Sequence, residues 1–114
     1  MAPTFTEYYS SGGRQETWCH GGVPHRNDGP AVVSYDKNGH VDGEIWMCNG
    51  LIHRENGPAY IRYHNGSLVL EWWYRNGQEH RSGDPAYIRY ENGAVIEQRW
   101  FLRGREVGAE ISMD

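Results

Sequence analysis

Four tryptophans, Trp18, Trp46, Trp73 and Trp100, stand 28, 27 and 27 residues apart, and each heads a copy of one string. Gly22, Gly50, Gly77 and Gly104 follow four residues later, and His25-Arg26, His53-Arg54 and His80-Arg81 begin seven residues later. Pro30, Pro58 and Pro85 come five residues after the histidines, and Tyr35, Tyr63 and Tyr90 five after the prolines. A period of this length constrains the fold more than any other feature. One such unit cannot bury its apolar side alone and has to stack on its neighbours. The units run over about 18–45, 46–72 and 73–99. A partial unit at 4–17 and another at 100–114 close the two ends, all within one 114-residue domain. The single extra residue of the first unit falls in Asp36-Lys37-Asn38-Gly39, a hairpin tip where insertion costs little.

Punctuation within the unit predicts antiparallel strands. Asn-Gly occurs at 38–39, 49–50, 65–66, 76–77 and 92–93. It favours the type I′ turn, whose two central residues both need positive φ. Each Gly-Pro-Ala or Asp-Pro-Ala segment should open a strand, because proline lacks an N–H and restrains the residue before it. From there the residues alternate, with Ala59, Ile61 and Tyr63 on one face and Tyr60, Arg62 and His64 on the other; Ala86, Ile88 and Tyr90 oppose Tyr87, Arg89 and Glu91. The segments 40–48, 67–75 and 94–102 do not alternate cleanly and should bulge near Gly43-Glu44 or Glu71. No segment has helical periodicity. The expected fold is all-β, an elongated antiparallel meander of stacked β-hairpins with tryptophan and tyrosine ladders at its centre.

Composition narrows the function classes. The net charge is −4, which argues against a general nucleic-acid binder, and ten of the eleven basic residues are arginine. No apolar run is long enough to span a membrane and no signal-peptide pattern opens the chain, so a soluble, unprocessed cytoplasmic protein is expected, in host-cell cytoplasm if the gene is carried by a phage. Two cysteines outside any C-x-x-C pair fit a reducing compartment.

The string Tyr/Trp-x-x-Asn-Gly-x-x-His-Arg-x-x-Gly-Pro-Ala-x-x-x-Tyr-x-Asn-Gly resembles the MORN-repeat variant, over roughly residues 5–107. That group includes bacterial antitoxin or immunity proteins and many small phage and large-virus proteins, so the resemblance implies a scaffold for protein contacts with no catalytic residues. The chain departs from the pattern in three ways. Its unit is longer than the usual MORN unit, Val107 stands where the fourth histidine would be, and the third copy reads Gly83-Asp84-Pro85.

Candidate chemistry is limited. Three histidines on a 27- or 28-residue pitch sit about 9–10 Å apart in a stacked array, two strand spacings, too far to share one zinc at about 2.0–2.1 Å. They are expected to bond adjoining turns and pack beside the tryptophans. Cys19-His20 with Cys48 lacks zinc-ligand spacing and an orienting group for nucleophilic catalysis. Glu44, Glu71 and Gln98 occupy equivalent places, which suits locally bonded side chains better than an acid–base pair. No metal or cofactor is expected, and the chain is read as a non-enzyme. The polar strand face is the better candidate. Tyr60, Arg62, Tyr87 and Arg89 should form a two-by-two patch suited to a protein partner, surrounded by acidic residues that include Asp36, Glu55, Glu71 and Glu91. The expected function is inhibition of a nuclease or nucleic-acid-guided effector by occluding its active or nucleic-acid site, as an antitoxin, immunity protein or phage anti-defence protein such as an anti-CRISPR. Neither nucleic acid nor membrane is expected as a direct partner, and open strand edges permit a homodimer. A structural or membrane-associated scaffold and a small-ligand or nucleotide sequestering protein are the alternatives.

Overall fold

The computed structural model describes residues 2–112. The chain forms β1 (Phe5–Tyr8), β2 (Arg14–Thr17), β3 (Cys19–His20), β4 (Val23–Pro24), β5 (Val32–Tyr35), β6 (Val41–Ile45), β7 (Met47–Cys48) and β8 (Leu51–Ile52). It continues with β9 (Tyr60–His64), β10 (Ser67–Trp72), β11 (Tyr74–Arg75), β12 (Gln78–Glu79), β13 (Tyr87–Glu91), β14 (Ala94–Leu102) and β15 (Arg105–Ile111). Nine of these make one antiparallel sheet in the order β1-β2-β5-β6-β9-β10-β13-β14-β15. The remaining six pair as three short hairpins, β3–β4, β7–β8 and β11–β12, each inserted directly after a spaced tryptophan. The molecule is a slab of 39 × 31 × 20 Å, less elongated than the repeat suggests, because the short hairpins lengthen each unit along the strand direction.

Turn chemistry explains where the chain reverses. Asn49-Gly50, Asn65-Gly66, Asn76-Gly77 and Asn92-Gly93 all have both residues at positive φ, with asparagine φ between 47° and 52°. Arg103-Gly104 and Gly21-Gly22 do the same. Asn38-Gly39 departs from the expected two-residue turn. Only Gly39 is at positive φ, because the extra residue widens the loop to Asp36–His40 and the Asp36 carboxylate accepts hydrogen bonds from the backbone N–H groups of Asn38 and His40. The expected bulges form, one residue before Gly43 and two before Glu71. They fall at Asp42, Val69 and Ile96, two or three residues beyond each turn, where the strand register skips one residue. Around Leu68-Val69-Leu70 and Val95-Ile96 apolar residues run consecutively, which is how the extra residue is written in the sequence.

The sheet register divides the side chains into rows. Backbone bonds from Trp18 to Ala31, Trp46 to Ala59 and Trp73 to Ala86, with the return bonds from Ala31 to Ile45, Ala59 to Trp72 and Ala86 to Arg99, run Trp18-Ala31-Trp46-Ala59-Trp73-Ala86-Trp100 across one face. Each bulky indole is flanked by an alanine, and all three alanines are fully buried. The next row on this face alternates Glu16, Val33, Glu44, Ile61, Glu71, Ile88 and Gln98. Val33, Ile61 and Ile88 are its buried members. The conserved geometry of the third row pairs each tyrosine with a carboxylate of the preceding unit. The Tyr90 hydroxyl donates to Glu71 Oε1 at 2.5 Å, and Glu16 and Glu44 act on Tyr35 and Tyr63 in the same sense.

Arginine covers this ladder face. The Arg26, Arg54 and Arg81 guanidinium carbons lie 3.9, 3.7 and 3.8 Å from the ring centroids of Trp18, Trp46 and Trp73. Each donates through Nη1 to the carbonyl of Pro30, Pro58 or Pro85. Gly57 leaves room for this stack, since a Cβ there would approach Arg54 Cζ to 2.7 Å. In the third unit Asp84 occupies that place. The loop adjusts through Gly83 at φ +82°, and Arg81 pairs with Asp84 at 3.8 Å while keeping its stack.

Histidine fastens one unit to the next. Nδ1 of His25, His53 and His80 accepts from the backbone N–H of Asn49, Asn76 and Arg103, at 2.9–3.0 Å. With Nδ1 an acceptor, the ring proton sits on Nε2, which donates to Asn27 in the first unit and to Glu55 in the second. His53→Ala is expected to cost about 1 kcal/mol, the net worth of one such bond at an exposed turn. Urea unfolding measures the loss, and faster exchange of the Asn76 amide locates it; an unchanged Asn76 amide would show that the ring is not the fastener.

Candidate functional site

The other face of the sheet carries different rows, and among the described residues no helix is present to cover it. One row runs Thr17, Val32, Ile45, Tyr60, Trp72, Tyr87, Arg99; its neighbour runs Gln15, Ser34, Gly43, Arg62, Leu70, Arg89, Glu97. Tyr60, Arg62, Tyr87 and Arg89 therefore share one face, as the alternation predicts. They are not immediate neighbours. Strand β10 lies between their strands and places Trp72 between the tyrosines and Leu70 between the arginines.

The three rings interlock edge to face. The Trp72 centroid lies 6.3 Å from Tyr60 at 78° and 4.8 Å from Tyr87 at 82°. Tyr74, just after β10, leans on Trp72 at 5.5 Å. Burial, with lesser contributions from Glu79 and Tyr60, pushes the Tyr74 hydroxyl up to about 12. Trp72 is half-buried and its Nε1 has no hydrogen-bond partner among the described residues. The row thus presents a rigid, interlocked aromatic surface of the kind frequent in the anchors of protein interfaces.

The charged part of the face is uneven. Glu97 is 8% exposed and holds two arginines, Arg89 through Oε1 at 2.9 Å and Arg99 through Oε2 at 2.5 Å. Those bonds, Arg99 first, outweigh partial burial and hold the Glu97 carboxyl below its ordinary range. Arg99 also reaches Glu106 at 2.7 Å, so both its bonded edges are occupied. Arg62 is different. It is exposed, has no ion pair or hydrogen bond among the described residues, and lies across Gly43, where a Cβ would come within 3.0 Å of its Nη1 and 2.7 Å of Ser34 Oγ. Gly43 is therefore needed for the guanidinium to rest on the sheet. Beside Arg62 opens a cleft of about 370 Å³, whose lining includes Gln15, Ser34, Asp36 and Asp42.

Only part of the expected acidic surround adjoins this patch, Asp36 through the cleft beside Arg62 and Glu91 along β13 from Arg89. Glu71 lies on the ladder face, opposite Ile61 and Ile88, with its carboxylate taken by Tyr90. Asp36 closes its own hairpin loop; the His40 backbone N–H is the main reason its carboxyl sits below the ordinary range. Glu55 belongs to the short-hairpin side, where it bonds His53 and pairs with Arg75 at 3.4 Å. Glu91 is exposed at the end of β13, two residues beyond Arg89 and opposite Ala94. Trp72, Leu70, Gly43 and Glu97 complete the patch, and the sequence does signal them. Ile45, Trp72 and Arg99 are equivalent positions in three units, as are Gly43, Leu70 and Glu97, and each set differs throughout.

Among the described residues no group of three His, Cys, Asp or Glu is placed to hold a metal ion. Cys19 and Cys48 are free thiols. Among the described residues no helix is long and apolar enough to cross a membrane. No protein-family model, curated protein or solved structure matches this chain.

Proposed function

We propose that this chain is a non-enzymatic inhibitor built of MORN-like hairpin repeats. It acts in the cytoplasm by docking its open sheet face on a nuclease or nucleic-acid-guided effector and occluding the active or nucleic-acid site. The observation that carries this reading is the row Tyr60-Trp72-Tyr87 beside Arg62 and Arg89, held on a continuous antiparallel sheet. Trp, Tyr and Arg dominate the energetics of protein interfaces, and a sheet presents them with little ordering cost on binding. The arginines complement the carboxylates that hold metal ions in many nuclease active sites.

The test begins with the tagged chain purified from the cells that naturally make it. A stoichiometric partner is then isolated and its nucleic-acid cleavage assayed with and without the chain. Cleavage is expected to stop with the native chain and to persist with Trp72→Ala, provided the variant keeps its unfolding midpoint. A partner without a nucleic-acid site, or cleavage that the native chain leaves unchanged, would overturn the proposal.

A further inference from the structure

We infer that the open face recognises an acidic helical segment of its partner, with Arg62 and Arg89 each taking a carboxylate on either side of apolar side chains seated on Leu70 and Trp72. This rests on the choice of the open face as the docking surface. It adds the chemistry of what docks there.

Three observations converge. The first is availability. Arg62 has no partner among the described residues, and Arg89 is bonded only through Nε, leaving its two terminal nitrogens to make a forked contact. Arg99, the third cation of the face, is occupied by Glu97 and Glu106. Glu97 acts here as a positioning residue, fixing the direction in which Arg89 points. The second is spacing. Arg62 and Arg89 both stand opposite Leu70, one on each side, but Arg62 lies across Gly43 on β6 and Arg89 turns to Glu97 on β14, so their guanidiniums stand three to four strand spacings apart, about 14–19 Å. Carboxylates at i and i+11 of an α-helix lie about 16.5 Å apart on one face, whereas those at i and i+7 lie only about 10.5 Å apart along the axis. The third is the apolar middle. Leu70 and Trp72 are half-buried on the strand between the arginines, and Ile45 and Val32 extend that field across β6 and β5. A helix carrying apolar residues at i+4 and i+7 fills it.

A single-stranded nucleic acid would also bring negative charge. The rings disfavour it: Trp72 meets both tyrosines edge to face, so the row offers no run of parallel platforms for successive bases. The chain's net charge of −4 works in the same direction.

The experiment titrates the isotope-labelled full chain with four probes while following the Trp72 indole N–H and the arginine Nε–H signals. The probes are a short Ala-based helix with Glu at i and i+11 and Leu at i+4 and i+7, its Gln counterpart, its Lys counterpart, and oligothymidine. The acidic helix is expected to shift the open-face signals and to bind about tenfold tighter than the Gln helix, two charge-assisted contacts of modest net worth. The Arg62→Glu/Arg89→Glu variant is expected to lose the acidic helix and gain the Lys helix, with ladder-face amides unmoved as proof of fold. Equal binding of the acidic and Gln helices would overturn the inference and leave the open-face reading intact, so long as Trp72→Ala abolishes both. Shifts confined to the ladder face, or binding indifferent to Trp72→Ala, would overturn both. Absence of acidic-helix binding up to millimolar concentration, or tighter binding of oligothymidine, would also overturn the inference.

Discussion

Trp46→Ala is expected to lower the unfolding free energy by about 3 kcal/mol, the lower end of the usual range for emptying an aromatic site, while Trp46→Phe changes it by less than about 1 kcal/mol. Trp46 sits in the middle of the ladder, between Ala31 and Ala59, both of them fully buried. Those alanines contribute little volume of their own and depend on the indoles beside them for cover. Removing the ring exposes them and strips Arg54 of the surface it stacks on at 3.7 Å. Among the described residues no large side chain is fully buried, so neighbouring residues have little reserve with which to collapse into the gap. The phenylalanine variant behaves differently because Trp46 Nε1 is buried without a hydrogen-bond partner among the described residues. Such an orphaned donor costs about 1–3 kcal/mol, and losing it offsets most of the lost ring area. Urea unfolding of the two variants decides the matter. Similar losses for both would mean that the indole nitrogen is satisfied in solution and that ring size alone governs the site.

Much of this fold is legible in the punctuation of the chain. Asn-Gly, Pro-Ala and the spaced tryptophans place the reversals, and the alternation over Ala59–Tyr63 and Ala86–Tyr90 assigns each residue of β9 and β13 to its face. The returning strands are harder, for a definite reason. Leu68 pairs with Tyr63 on the ladder face, yet Leu70, two residues on, pairs with Arg62 on the open face. The bulge at Val69 inverts the parity, and every side chain after it changes sides. Glu71 moves to the ladder face by that inversion and Trp72 to the open one. A simple count along the strand cannot locate the inversion, because an apolar run such as Leu68-Val69-Leu70 fits either phase. Within the candidate site, Tyr60, Arg62, Tyr87 and Arg89 are legible by alternation because they precede a bulge, whereas Trp72, Leu70 and Glu97 follow one, so only their variation between units signals them and a count along the strand does not give their face.

The fold is expected to hold its stability up to about pH 10, where a free tyrosine ionises, and to lose it steeply toward pH 12. Two hydroxyls set this window. Burial, reinforced by the Glu71 hydrogen bond and charge, pushes Tyr90 up to about 12; burial, with Glu79 and Tyr60, takes Tyr74 to about 12 as well. Tyr35 and Tyr63 are raised in the same direction, chiefly by burial and then by Glu16 and Glu44 respectively. Each of these groups is more acidic unfolded than folded, so the folded state favours the neutral phenol. Its contribution is whole below the unfolded value and is lost as pH rises through the folded one. Unfolding then releases protons, and base drives it. Tyr90→Phe separates the two parts of the effect. At neutral pH it forfeits the 2.5 Å bond to Glu71, worth about 1 kcal/mol net. Above about pH 10 it has no hydroxyl to ionise, so its stability falls less steeply than that of the native chain. Urea midpoints followed across the alkaline range, alongside phenolate absorbance, report both quantities. A native chain whose midpoint stays level to about pH 12 would show that these hydroxyls are held neither by burial nor by carboxylates in solution, and the Glu71–Tyr90 bond between successive units would have to be given up.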